Sequence, residues 1–214
     1  IDGRLLGTIT NDDIIDVIAE EATEDLMRVA GGSEEELHQP SVVKSFSSRI
    51  PWLVSTFAVG CVTTVLLATQ KNVLTEVVAV SFYIPITMAF GGNVGLQTAT
   101  MTIRRIVLGE TGARGLISDL WRELRVGILL GAMFGIVMGT AAGFVMPQAD
   151  PRLGFVVGLA ILAAASTAAM VGTLIPIILQ KISVDPSVGG SPIVTSLDDL
   201  SALGIYFILI HLML

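Results

Sequence analysis

Five runs of the chain, each longer than about 18 residues and nearly free of charge, dominate what it can fold into. They extend from Ile50 to Gln70, Val77 to Ile103, Val126 to about Ala149, Leu153 to Gln180 and about Pro192 to Leu214. A helix of such length, at about 1.5 Å per residue, crosses a hydrocarbon layer of about 30 Å. The rest of the composition agrees: 52% of the 214 residues are hydrophobic, 14% are charged, and the mean hydropathy is +0.79. The reading is an all-α integral membrane protein with five transmembrane helices.

Charge is unevenly placed. Residues 1–36 hold eleven acids against Arg4 and Arg28, a net of -9, while the whole chain carries -7, so the remainder sums to +2. A water-facing acidic segment thus precedes an apolar body, which argues against nucleic acid and makes cations the natural counter-charge. Lys44, Arg49, Arg104, Arg105, Arg114, Arg122, Arg125 and Lys181 flank one set of span ends, and Lys71 and Arg152 the other. By the positive-inside rule the N-terminus is cytoplasmic and, after five crossings, the C-terminus is outside.

Before the spans, "RLLGTIT" reads as a short strand and "NDDIIDVIAEEATEDLMRVA" as an amphipathic helix. Thr10 or Asn11 is placed to cap it, with Asp12 and Asp13 in the first turn. Ile14, Ile15, Ile18 and Ala22 are expected to form its buried stripe, and Gly31 and Gly32 to end it. A polar connector broken at Pro40 leads to the first span. The opening "IDGRLLGTIT" has neither an initiator Met nor the pattern of a cleavable signal, and reads as the tail of something longer. Cys61, the one cysteine, reads as a small core hydrophobe, and Trp52 and Trp121 as interfacial anchors.

The third span carries Gly127, Gly131, Gly135, Gly139 and Gly143, a stripe of every fourth residue that lets helix backbones approach closely in lipid. Two other spans carry the candidate chemistry. In the second, Gly91 and Gly92 are expected to interrupt the helix and free backbone carbonyls. Asn93 and Gln97 share one face beside a strip of Gly91, Gly95 and Ala99, a pattern that serves helix packing or an ion path equally well.

In the fifth span, Asp198 and Asp199 stand about 100° apart around the helix, so only one can face a given cavity. Thr195 shares the face of Asp199. The competing reading is that the helix starts later and both carboxylates cap it. Carbonyls, amides and a carboxylate make an all-oxygen site, suited to Mg²⁺ or Ca²⁺ rather than to Zn²⁺ or Cu. A hydrated Mg²⁺ needs only one or two carboxylates.

"FGGNVGLQTATMTIRRIVLGE" (Phe90 to Glu110) and "DPSVGGSPIVTSLDDL" (Asp185 to Leu200) resemble the second-helix and fifth-helix signatures of the MgtE family of magnesium channels. The resemblance implies a homodimer in the plasma membrane, with five helices per subunit and a pore on the two-fold axis. It implies Mg²⁺ as the conducted ion, with Mn²⁺, Co²⁺ and Ca²⁺ as the divalent ions among which sequence does not choose. On that pattern Asp199 is the pore aspartate, with Asn93 and the Gly91 and Gly92 backbone lining the pore near it.

The resemblance further makes residues 1–22 the end of a CBS (cystathionine-beta-synthase-type) domain, 23–49 a connecting plug helix and 50–214 the pore domain. Acids at these interfaces bind regulatory Mg²⁺ in the family and close the channel. The matching positions are Asp13, Asp16, Glu21, Glu24 and Asp25, with Asp185 on the membrane side. The N-terminal acidic domain and most of both CBS domains have no counterpart, and Ser196 and Asp198 depart from the family's "TTxTD" pattern. An ion-coupled exchanger of the same architecture is the alternative. A non-transporting sensor and an intramembrane aspartyl protease complete the set, and no other span offers the protease its second internal Asp.

Overall fold

The computed structural model describes residues 8–29, 41–76, 78–109, 115–145, 150–189 and 191–214. In chain order the helices are α1 (Asn11–Val29), α2 (Val42–Thr69), α3 (Lys71–Glu76), α4 (Val78–Ser81), α5 (Ile84–Val107), α6 (Leu116–Val145), α7 (Leu153–Lys181) and α8 (Ser191–Met213). A 3-10 turn, Pro186–Gly189, precedes α8. The described residues contain no strand, and five of the helical segments are long and apolar enough to cross a membrane. All five lie where the uncharged runs place them.

Local chemistry explains several boundaries. Of the two candidate caps, Thr10 is the one used: its N–H and its hydroxyl donate to Asp13 Oδ2 at 2.7 and 2.9 Å, and its carbonyl accepts from Ile14 N–H. In the strand expected over residues 4–10, residues 4–7 lie outside the described ones and 8–10 are irregular. Proline at the second position of α5 is Pro85, where a missing N–H costs no helical hydrogen bond. Helix α2 starts at Val42, takes in the end of the connector and passes Pro51 without stopping. Pro40, Gly31, Gly32 and His38 fall outside the described residues.

Helix α7 is the central post. Val156, Val157, Ala160, Ile161, Ala164, Ala165, Ala168 and Ala169 are all buried, so it is covered around most of its circumference by α5, α6 and α8. Its contact with α6 is made by the glycine stripe. A methyl group on Gly135 would stand 2.5 Å from the Gly158 carbonyl oxygen, and one on Gly131 would stand 2.7 Å from Leu162 Cα. The stripe therefore serves packing, as read, except at Gly143, where a methyl group would meet no atom of the described residues within 4 Å.

Two sequence expectations are corrected here. The apolar stripe of α1 is not buried: Ile14, Ile15 and Ile18 are 50%, 62% and 63% exposed, because among the described residues the main packing of α1 is against the short 3-10 turn. The Ala22 side chain is outside the described ones. Cys61 is exposed, not in a core, because α2 packs mainly on α8 and buries only Thr63.

Candidate functional site

Helix α8 begins at Ser191, which settles the position of its carboxylates. Asp198 and Asp199 lie two turns inside the helix, about 10 Å from its start, and cap nothing. The reading in which they mark a later helix start is overturned, since Pro192 fits the first turn and the helix is already established before them.

The two neighbours part, as their angular separation requires. Asp198 is 1% exposed and points at Gly95 of α5, whereas Asp199 is half-buried and lies beside Gly92, where a methyl group would stand 3.8 Å from its Oδ1. Among the described residues, both oxygens of Asp198 and the hydroxyl of Ser196 have no hydrogen-bond partner. Thr195 is half-buried one turn before Asp199, and its hydroxyl donates to the Pro192 carbonyl at 3.4 Å.

Helix α5 runs unbroken through Gly91 and Gly92. The expected interruption is absent because the helical hydrogen bonds have no water to compete with them at this depth, so two glycines weaken the helix without opening it. Gly91 is buried, in ordinary contact range of Ala164 and Ala202, and Ala99 is fully buried. The small-residue strip therefore packs. At Gly172 of α7, a methyl group would meet Thr98 Cβ at 3.0 Å, a close approach with no obvious sign in the sequence.

The amide face is different. Ala89, Asn93, Gln97 and Thr100 follow one another at helical spacing and are all exposed on the subunit. Asn93 Nδ2 donates to the Ala89 carbonyl at 2.8 Å and the Thr100 hydroxyl to the Leu96 carbonyl at 2.9 Å, both bonds within α5. The buried small residues and the exposed amides thus lie on different faces of one helix. Of the sequence-predicted pore residues, Asp199 lies beside Gly92, Asn93 is exposed on the same helix as Gly92, and Gly91 packs inward against Ala164 and Ala202.

The acids on α1 are spread along its length. Asp13 accepts both Thr10 bonds, which hold its carboxyl below the ordinary carboxylate value, the backbone bond contributing most. Asp16 and Glu21 are exposed, Glu24 is half-buried, and the side chain of Asp25 is outside the described ones. Asp185 Oδ1 accepts from the Ser187 N–H and hydroxyl at 2.9 and 2.6 Å, opening the 3-10 turn on which α1 rests.

One cluster was not foreseen. Arg105 at the end of α5 pairs with Glu123 of α6 at 2.6 Å, with Asp119 at 3.7 Å, and Arg122 approaches Glu123 at 3.4 Å. The sequence reading started the third span at Val126; because α6 begins at Leu116, Asp119 and Glu123 fall one turn apart on the same helix.

A family model for MgtE, described as a divalent cation transporter, matches residues 84–209, which contain this site. The chain is 33% identical over 206 residues to the magnesium transporter MgtE of Enterococcus faecalis, covering 96% of this chain and 45% of that one. It is 32% identical over 203 residues to the magnesium transporter MgtE of Bacillus subtilis, covering 95% and 45%. With that of Thermus thermophilus it shares 33% identity over 215 residues, covering 100% and 47%. The chain thus spans a little under half the length of these relatives. The family match lies on α5 to α8, the helices that assemble the carboxylate and amide face, and on these grounds the chain is a member of the MgtE family of divalent cation transporters.

Proposed function

We propose that this chain forms the ion path of a Mg²⁺ channel, conducting into the cytoplasm down the electrochemical gradient. The observation that carries the reading is the half-buried Asp199 beside Gly92, with Asn93 exposed on the same helix as Gly92, at membrane depth, on the surface of the subunit. A carboxylate is costly against lipid, so this face requires water or protein over it. A second copy related by a two-fold axis supplies both, with α5 and α8 of each subunit enclosing an aqueous path and paired Asp199 carboxylates across it. Mg²⁺ gives up water reluctantly, and two carboxylates with amide oxygens hold it hydrated without a closed cage. Thr195 lies on the same face of α8, one turn away.

Gating by cytosolic Mg²⁺ follows from the acids of α1. Asp13, Asp16, Glu21, Glu24 and Asp25 repel one another and their surroundings, and divalent ions shared with Asp185 relieve that repulsion and favour the packed, closed arrangement. The contact of α1 with the 3-10 turn that Asp185 opens supports this. The N-terminal segment is then cytoplasmic, in the plasma membrane.

Asp199→Ala decides the pore assignment: uptake into a strain dependent on added Mg²⁺ should be lost while the protein still inserts and folds. Unchanged growth at low Mg²⁺ removes the assignment. Unitary current steps from reconstituted protein identify a channel, and strictly coupled counter-ion flux without such steps identifies an exchanger. Competition by Mn²⁺, Co²⁺ and Ca²⁺ in the same recording ranks the ions.

A further inference from the structure

Two successive residues of α8 each lie on a glycine of α5. Asp199 passes Gly92 with room to spare, but Asp198 fills the space where a Gly95 side chain would be: a methyl group there would stand 2.8 Å from Asp198 Cγ, nearer still to Oδ2, and 3.2 Å from Val194 Cγ1. Asp198 is 1% exposed, and neither of its oxygens has a hydrogen-bond partner among the described residues. A carboxyl group buried without partners is costly wherever it occurs and more so at membrane depth. It makes no polar bond here, so what it supplies to the seam is shape.

We propose that Asp198 is a positioning residue, a carboxyl wedge seated in the Gly95 notch that fixes the rotation and spacing of α8 on α5 and so holds Asp199 at Gly92. The inference rests on the reading of Asp199 as the ion-binding carboxylate. Adjacent helix residues are about 100° apart, so locking the direction of one aims the next. Val194, one turn before Asp198 and fully buried, closes the same notch and keeps α8 from sliding along it. Loss of the wedge leaves α8 free to turn; a side chain at Gly95 forces it away.

The test is a size swap in the natural protein, reconstituted in vesicles and assayed for Mg²⁺ uptake over a range of Mg²⁺ concentrations, with the melting temperature measured in parallel. Gly95→Ala should raise the KM for Mg²⁺ by about ten-fold or more, since misplacement of about 1 Å is enough for such losses. Gly95→Ala combined with Asp198→Ala, which moves bulk from one side of the seam to the other, should recover most of it. Asp198→Ala alone should raise KM, and the isosteric Asp198→Asn should restore what Asp198→Ala loses. If Asp198→Asn is as impaired as Asp198→Ala, the carboxylate acts by charge and the inference is overturned. If the double variant is no better than Gly95→Ala, spacing is not its role. Should Gly95→Ala fail to reach the membrane, the Asp198→Ala and Asp198→Asn pair decides alone. Asp199→Ala in the same assay separates the two readings: wild-type uptake there removes the pore assignment, whereas lost uptake with no recovery in the swap removes only the wedge.

Discussion

The hydroxyl of Tyr206 on α8 donates to the Val80 carbonyl at 2.8 Å, tying together residues 126 apart in sequence. Helix α4 ends at Ser81, so the Val80 carbonyl has no helical partner of its own and takes this bond together with one from the Tyr83 N–H at 3.2 Å. Both residues are fully buried. Tyr206→Phe keeps the ring and removes the donor, and should cost about 1–2 kcal/mol. Thermal unfolding in detergent checks it, with Mg²⁺ uptake retained below the new transition.

The α6–α7 seam leaves no space at its glycines. Gly135→Ala should destabilise by about 1–3 kcal/mol through overpacking, because the methyl would stand 2.5 Å from the Gly158 carbonyl oxygen. Gly143→Ala, where no described residue lies within 4 Å of the added methyl, is the matched control and should unfold like the wild type.

The Arg105–Glu123 pair joins the end of α5 to α6 with Glu123 6% exposed. Glu123→Ala leaves a largely covered guanidinium with only the longer Asp119 contact and should cost about 1–2 kcal/mol, with Glu123→Gln costing less. Arg122→Ala should be nearly silent, since the Arg122 side chain is 56% exposed and its pair is screened by solvent. Chemical denaturation of the three variants in one detergent orders them.

Asp13 gives the start of α1 a pH dependence of known sign. Its folded-state value lies below the ordinary 3.8, so its contribution is fully present above that value and is lost as pH falls through the lowered one. Amide exchange of residues 14–17, corrected for intrinsic rates, should show protection at about pH 6 that declines as pH falls below the ordinary carboxylate range. Asp13→Ala, which removes the acceptor of both bonds, should give the frayed pattern at both ends of that range.

The spans and the separation of Asp198 from Asp199 were legible because each depends on a period or a run length that the bilayer and the helix impose. The fate of Gly91 and Gly92 was not, because a glycine pair is compatible with either a broken helix or a close contact, and the choice belongs to α7 and α8, which supply Ala164 and Ala202. The exposed face of α1 was misread for a related reason: Ile14, Ile15 and Ile18 state that the helix has an apolar side, and only neighbouring chain can state what covers it. Arg105 and Glu123 stayed hidden because their meeting needs the true start of α6, ten residues before the last charge of its first turns gives way to the apolar run.

The glycines of α6 and α7 also limit how this protein can change over evolutionary time. Gly135 faces Gly158 and Gly139 faces Gly154, backbone against backbone. Any single missense change there adds atoms, and the residue opposite is already the smallest available, so no second change can make room. Such positions lack neutral neighbours in sequence space and are expected to drift last. Gly95 stands in another situation: its obstacle is the side chain of Asp198, which can shrink. Lineages can therefore retune the seam beside the carboxylate by paired substitutions while the scaffold behind it stays frozen.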